Sequence, residues 1–268
     1  MNEMKKYRIA HGRRFRWDDV DPTDHGPFKS EADALHETEA CIQKIDPLQE
    51  RLYAEGKRAL LIILQALDTG GKDGTIRHVM RGINPQGCDV TSFKAPTPDE
   101  RAHDYLWRVH QRVPVKGLIG IFNRSHYEDV MVTRVHRSIS AEEADERFRE
   151  INDFERMLVQ NGTQVVKIYL KISKGEQKRR LEARLSDPQK WWKFNTGDLT
   201  ERRYWNRYPM ICSEAISATS SKHAPWYVIP ANHKWYRNYL VARLVVSTLE
   251  KMNPRFPPVS GTSRIRIK

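Results

Sequence analysis

Apolar residues along this chain alternate between two arrangements, short unbroken runs and longer stretches in which they recur every three to four positions. Leu60 to Leu64 is an unbroken run of the kind found in strands covered on both faces, whereas Ile76, Val79, Met80 and Ile83 fall at helical spacing. Read this way, Ser30 and Asp33 form a capping box for a helix ending near Gly56. A strand over 59–66 and a helix over 72–83 follow. Asn84-Pro85-Gln86-Gly87 turns the chain into a strand over 89–93, a helix over 99–112 and a strand over 118–122. A long helix over 141–160 stops at Asn161-Gly162 and precedes a strand over 164–172. Ser173 caps a helix over 174–186. A loop over 187–197, a helix over 198–219, a strand over 225–229 and a helix over 232–252 complete the series. Five strands alternating with helices predict an α/β domain, a five-stranded parallel sheet sandwiched by helices, with ligands at the carboxyl ends of the strands. Residues 1–29, polar and carrying Asp21-Pro22 and Gly26-Pro27, read as an N-terminal arm over a single 30–252 domain. Residues 253–268 read as a mobile basic tail.

The strongest local signal lies where the first strand meets its helix, at Leu67-Asp68-Thr69-Gly70-Gly71-Lys72-Asp73-Gly74-Thr75. Without side chains at Gly70, Gly71 and Gly74, the backbone can turn successive amides onto an anion at the positive end of the helix dipole. Lys72 would add a mobile point charge on the phosphates. The run departs from the Gly-x4-Gly-Lys-Ser/Thr pattern at both ends, with Ala66 at the first position and Asp73 at the last. Lacking the hydroxyl that would hold Mg²⁺, the loop needs another oxygen ligand, which Asp68 or Asp73 can supply. A glycine-rich connection with a solvated lysine has the same composition. The buried strand before it and the amphipathic helix after it favour the phosphate reading.

Charge narrows the partners. The 268 residues carry a formal net charge of +12, which attracts nucleic acid, acidic lipid or a phosphate-rich substrate without choosing among them. No zinc finger, basic zipper or aromatic RNA-binding signature supports a nucleic-acid partner. No apolar run approaches the roughly 20 residues that span a bilayer, and the first residues have no apolar signal core, so no membrane partner and a cytoplasmic protein are expected. Cys41, Cys88 and Cys212 are too scattered for a disulfide framework or thiolate metal site, and no His-Glu-x-x-His pair suggests zinc. Between 174 and 207, ten Lys or Arg face five Asp or Glu. Lys178, Arg179, Arg180 and Arg184 fall on a helix, Lys190-Trp191-Trp192-Lys193-Phe194 on a turn, and Arg202, Arg203 and Arg207 beyond it, the composition of a basic lid that closes over a phosphate chain and excludes water. Asn123 and Arg124 end the third strand beside the loop, with Lys94 and Lys116 as weaker additions. No Ser-His-Asp set or catalytic base is visible. A nucleotide phosphate acceptor, whose second ionisation lies near pH ~6, is already anionic at neutral pH and needs none.

Several motifs together resemble one family. Ala66 to Thr75, Asn84-Pro85-Gln86-Gly87, Ser92-Phe93-Lys94-Ala95-Pro96, Asp104-Tyr105-Leu106-Trp107-Arg108, Phe122 to Val130, Trp192-Lys193-Phe194 and Ala224 to Ala231 are similar, in the same order over about residues 30–250, to the polyphosphate kinase 2 family. The likeness is greatest to its class III members, which phosphorylate nucleoside monophosphates and diphosphates with inorganic polyphosphate as donor. The resemblance implies a P-loop kinase fold, a reversible Mg²⁺-dependent reaction (Mn²⁺ as a substitute), AMP, ADP and ATP as nucleotides with GMP and GDP as further acceptors, and a homo-oligomer. Carried over by position, it makes Asp68 the Mg²⁺-associated acid, Lys72 the phosphate lysine and Arg124 a second phosphate contact. It places Gly70, Gly71, Asp73, Gly74, Thr75, Lys94, Arg180, Arg184 and Lys193 around the phosphates, with Arg180 or Arg184 matching the key lid arginine. Asn123 stands where many relatives carry Asp, which weakens it as a metal ligand. Gly70 replaces a common Ala and is expected to loosen the turn without blocking it. Two other functions fit parts of the pattern. One is an ATP-dependent nucleoside monophosphate kinase resembling thymidylate kinase. The other is a basic nucleic-acid-binding protein with a vestigial loop.

Overall fold

The computed structural model describes residues 2–258, so residues 259–268 of the expected tail lie outside the described residues. Five strands, β1 (Ala59–Gln65), β2 (Cys88–Ser92), β3 (Ile119–Asn123), β4 (Thr163–Lys171) and β5 (Trp226–Pro230), form one sheet in the order β2-β3-β1-β4-β5. Every pairing is parallel. β1 is central and buried along its whole length, as its unbroken apolar run predicted. The register sets Leu64 beside both Asn123 and Ile168, so the turns that follow β1 and β3 emerge side by side.

Helices cover both faces. In chain order they are α1 (Asn2–Tyr7), α2 (Glu31–Glu55), α3 (Lys72–Val79), α4 (Pro98–Ala102), α5 (Trp107–His110), α6 (Glu128–Val135), α7 (Ala141–Gln160), α8 (Lys174–Leu185), α9 (Thr196–Arg202), α10 (Tyr208–Thr219) and α11 (Lys234–Met252). The Ser30–Asp33 capping box is formed and Gly56, left-handed at φ 59°, ends α2 as expected. Among the described residues no helix is long and apolar enough to cross a membrane.

Two predicted helices are broken. The stretch 99–112 is divided into α4 and α5, because the Asp104 carboxylate accepts from the amides of Leu106 and Trp107, both at 3.0 Å, and starts a new turn. The stretch 198–219 is divided into α9 and α10, with Pro209 near the start of α10. Proline lacks the amide that would continue the helix and disfavours helical backbone just before it. The loop 187–197 holds a 3-10 turn over Pro188–Lys193, and α1 and α6 have no counterpart in the sequence reading. Residues 1–29 send Tyr7, Ile9, Phe15 and Val20 into the main core, and Arg8 makes an antiparallel bridge to Tyr227 of β5.

Candidate active site

The turn between β1 and α3 has two residues in left-handed backbone, Thr69 at φ 62° and Gly71 at φ 101°. A Cβ at Gly71 would lie 2.0 Å from Arg237 Nη1, so both its conformation and its close neighbour require glycine. A methyl at Gly70 would fall 2.4 Å from Ala66 Cβ and 2.8 Å from the Leu67 carbonyl. The expectation that Gly70 merely loosens a turn otherwise suited to alanine is therefore overturned, since this turn packs directly on Ala66. Gly74 lies within α3, where a Cβ would find its nearest neighbour at 3.8 Å, and it does not shape the turn. Thr75 is fully buried and donates its hydroxyl to the Gly71 carbonyl at 3.0 Å, closing the turn from beneath rather than facing the cleft.

Lys72 is not the mobile charge that was expected. Its side chain is buried beneath the turn and its Nζ donates to the Ala66 carbonyl at 2.9 Å. Burial, and then the neighbouring Arg124, hold its pKa below the ordinary lysine value. Strand β3 delivers two residues to the same place. Asn123 donates through Nδ2 to Asp73 Oδ1 at 2.6 Å, and Arg124, itself left-handed at φ 65°, donates through Nη2 to Asp68 Oδ1 at 3.1 Å. The end of β3 is thus tied to both ends of the glycine turn.

Above the turn, α8 and the segment after it roof a cleft of about 580 Å³. Ten Lys or Arg line it against three aspartates, Asp68, Asp73 and Asp198. Lys94, Arg184 and Lys193 are among the ten, as expected, while Lys116 is not. Arg184 donates to Asp198 Oδ2 at 3.2 Å, and Lys193 lies over the exposed Trp192 ring. Arg180 also lines the cleft, but its donors are engaged. Nε meets Glu176 at 2.6 Å, Nη1 the Thr69 carbonyl at 2.9 Å and Nη2 the Ala231 carbonyl at 2.5 Å. In this arrangement Arg180 braces the glycine turn against the end of β5, leaving Arg184 the freer of the two lid arginines.

Two residues at the site were not found from the sequence. Arg237, on the first turns of α11, is 3% exposed beside Gly71, and among the described residues no carboxylate lies within 4 Å of it. Burial, with Arg180 nearby, pulls its pKa down to about 9. Nothing in its local sequence marks it; only the topology, which starts α11 just beyond the carboxyl end of β5, brings it here. Glu128 opens α6 four residues after Arg124, and that spacing was available to a reader of the motif. It faces a second, smaller hollow of about 140 Å³, with Arg202, Trp205 and Tyr208 on the opposite wall. Burial pushes the Glu128 carboxyl up, and Arg124 and Lys72 partly offset this. Asp68 and Arg124 line both hollows, so the two cavities meet at this ion pair.

Comparison with known proteins places the arrangement. The sequence model of Polyphosphate kinase 2 matches residues 29–257. The chain belongs to the polyphosphate kinase 2 family. It is 50% identical over 267 residues to an AMP/ADP-polyphosphate phosphotransferase of Meiothermus ruber, covering 99% of this chain and all of that one. It is 40% identical over 278 residues to an ADP-polyphosphate phosphotransferase of Rhodopseudomonas palustris, covering 98% and 95% of the two chains. Its fold superposes on the crystal structure of polyphosphate kinase 2 from Arthrobacter aurescens with a TM-score of 0.91 at 44% identity, covering 95% and 91%. Family membership bears out the resemblance drawn from the motifs, and the parallel five-stranded sheet bears out the fold expected with it.

Proposed function

We propose that this polyphosphate kinase 2 transfers the terminal phosphoryl group of inorganic polyphosphate to AMP and then to ADP. The observation that carries the proposal is the meeting of two hollows of different character at Asp68 and Arg124. The larger and strongly basic one suits a linear polyanionic donor; the smaller one, walled by α6 and the start of α10, suits the phosphate of an acceptor. The names of relatives on either side, AMP/ADP and ADP phosphotransferases, support an acceptor range of both nucleotides.

Phosphoryl transfer asks the protein mainly to align the reactants and stabilise charge on the moving group. Arg124 stands between the hollows, where donor and acceptor oxygens converge, and would answer charge from both. Lys72 would exchange its Ala66 carbonyl for a phosphate oxygen, replacing a neutral acceptor with an anion. The backbone turn at 69–71 and Arg237 behind it would hold the donor end, and Arg184 with Lys193 would cover it.

The donor set fits Mg²⁺. Among the described residues no group of three or more His, Cys, Asp or Glu is poised as a metal cage, and Mg²⁺ commonly binds through one or two carboxylates together with substrate phosphates. Asp68 and Asp73 face the cleft in that role, and Mg²⁺ would supply positive charge at the phosphate oxygens. Asn123, already donating to Asp73, positions that carboxylate rather than binding metal.

Incubating the purified protein with AMP, Mg²⁺ and long-chain polyphosphate, without ATP, should yield ADP and then ATP by chromatography. Product formed only when ATP is supplied as donor would overturn the reading in favour of an ordinary nucleoside monophosphate kinase. Lys72→Ala should abolish transfer with an unchanged circular dichroism spectrum.

A further inference from the structure

The largest cavity described, about 1010 Å³, is not at the active site but at the other end of the sheet. It lies between α1, the first residues of β4 and β5, and the C-terminal half of α11. Helix α11 connects the two regions, with Lys234 and Arg237 in the catalytic cleft and Arg243 to Met252 in this one. At 1.5 Å per residue, Arg237 and Lys251 are roughly 21 Å apart along the helix.

Six Lys or Arg line the second cavity, Lys5, Arg8, Arg58, Lys222, Arg243 and Lys251, against one acid, Glu250. Arg58 is engaged by Glu55 and by the Met252 carbonyl. The other five have no carboxylate within 4 Å among the described residues, although exposed lysines elsewhere, such as Lys178 and Lys190, do find one. His223 also lines the cavity and its buried Nε2 has no hydrogen-bond partner. A run of like charge is ordinarily a solvated face. Here the cations rim a concave space with Val165 and Leu244 on its wall, a low-dielectric setting that concentrates the field.

We propose that this cavity is a second binding site for inorganic polyphosphate, separate from the catalytic cleft. The cations come from α1, the residue after it, the residue before β1, the loop before β5, and the middle and end of α11, so they are dispersed over several elements instead of set on one turn. Gly162, left-handed at φ 93°, lines the cavity at the turn before β4, but its amide donates to the Val159 carbonyl at 3.1 Å and so offers no nest for a compact phosphate, while Arg58 answers the Met252 carbonyl at the C-terminal end of α11. Dispersed charge of this kind matches a chain of phosphates better than a single nucleotide headgroup. The proposal rests on the reading of polyphosphate as donor, and it gives the site a role in holding the length of chain that extends beyond the catalytic cleft.

The test uses the full chain and a variant in which three exposed residues are reversed in charge, Arg8→Glu, Lys222→Glu and Lys251→Glu. Titration calorimetry with tripolyphosphate should find two sites per chain in the parent protein and one in the variant. The variant should also show an apparent KM for long-chain polyphosphate raised about tenfold with kcat unchanged, since tethering contributes binding but no chemistry. A single site in the parent, an unchanged stoichiometry in the variant, or a second site that takes ATP but not tripolyphosphate would overturn the proposal. So would a change of oligomeric state in the variant on size-exclusion chromatography, which would make this face an interface between copies. Binding is read without turnover, so failure to make ADP from polyphosphate would count against the donor assignment alone.

Discussion

Arg237 is a buried positive charge with no carboxylate within 4 Å among the described residues, and a folded protein retains such a group at a cost in stability. Its pKa of about 9 lies below the ordinary arginine value because burial, and then the nearby Arg180, disfavour the charge; a phosphate chain beside Gly71 would offset that penalty. Arg237→Met should therefore stabilise the unliganded protein by about 1–2 kcal/mol, some 2–8 °C in Tm, while lowering kcat/KM for polyphosphate by at least about tenfold. A thermal melt and a donor titration check the two halves. Glu128 titrates in the other sense. Its carboxyl is raised by burial, so it protonates at a higher pH than an exposed glutamate and then ceases to balance Arg124 and Lys72. Activity should fall on the acid side above the usual carboxylate range near pH ~4.3, and Glu128→Gln should be slower and lack that limb. A raised folded-state pKa gives stability that is full below the unfolded value and is lost as pH rises through the folded one, so Glu128→Gln should also melt higher than the parent at neutral pH. Asp68, Lys72 and Arg124 were legible in the sequence because each sits in a contiguous motif at a strand end. Arg237 was not, because it lies 165 residues further on than Lys72 and its place depends on where α11 begins.

The elements behind the site are held by a buried ionic group that no local pattern of residues marks. Lys167 of β4 donates to Glu155 of α7 at 2.5 Å, to the Tyr127 hydroxyl at 2.9 Å and to the Thr219 carbonyl at 2.6 Å, all without exposure to water. Tyr127 in turn donates to Glu155 at 2.8 Å, and the fully buried His126 lies 3.5 Å from the same carboxylate. Burial alone would raise Glu155; Lys167 beside it holds the carboxyl below its ordinary value. His126 and Tyr127 follow Arg124 almost directly, so the group fixes the turn that aims Arg124 at Asp68. Removing one partner strands the other charge, and Lys167→Met or Glu155→Leu should each cost about 3–5 kcal/mol. The double variant should cost clearly less than the two together, as measured by urea unfolding. Both partners lie in segments that read as ordinary strand and helix, and twelve residues separate them. Element types were largely legible because apolar periodicity is local. The breaks at 103–106 and 203–207 were not, since they depend on which backbone amides Asp104 captures and on where Pro209 falls relative to a helix start.

At the scale of the whole molecule, a net charge of +12 was readable from composition, but its division between two ends of one sheet was not. That division predicts opposed effects of salt. Self-repulsion destabilises the unliganded protein, so added NaCl should raise its Tm modestly. Polyphosphate should raise it more by binding only the folded state, by about 2.7 kcal/mol at a hundred times Kd, which for a chain of this size is roughly 5–11 °C. Because that binding draws on cationic side chains that outnumber the carboxylates in both cavities, the increment should shrink as NaCl approaches 1 M, where the Debye length falls to about 3 Å. A melt series over salt, with and without polyphosphate, should show two curves that converge from below and above. Parallel curves would mean that the anion is held mainly by the glycine turn and its amides, with the basic lid contributing little to affinity.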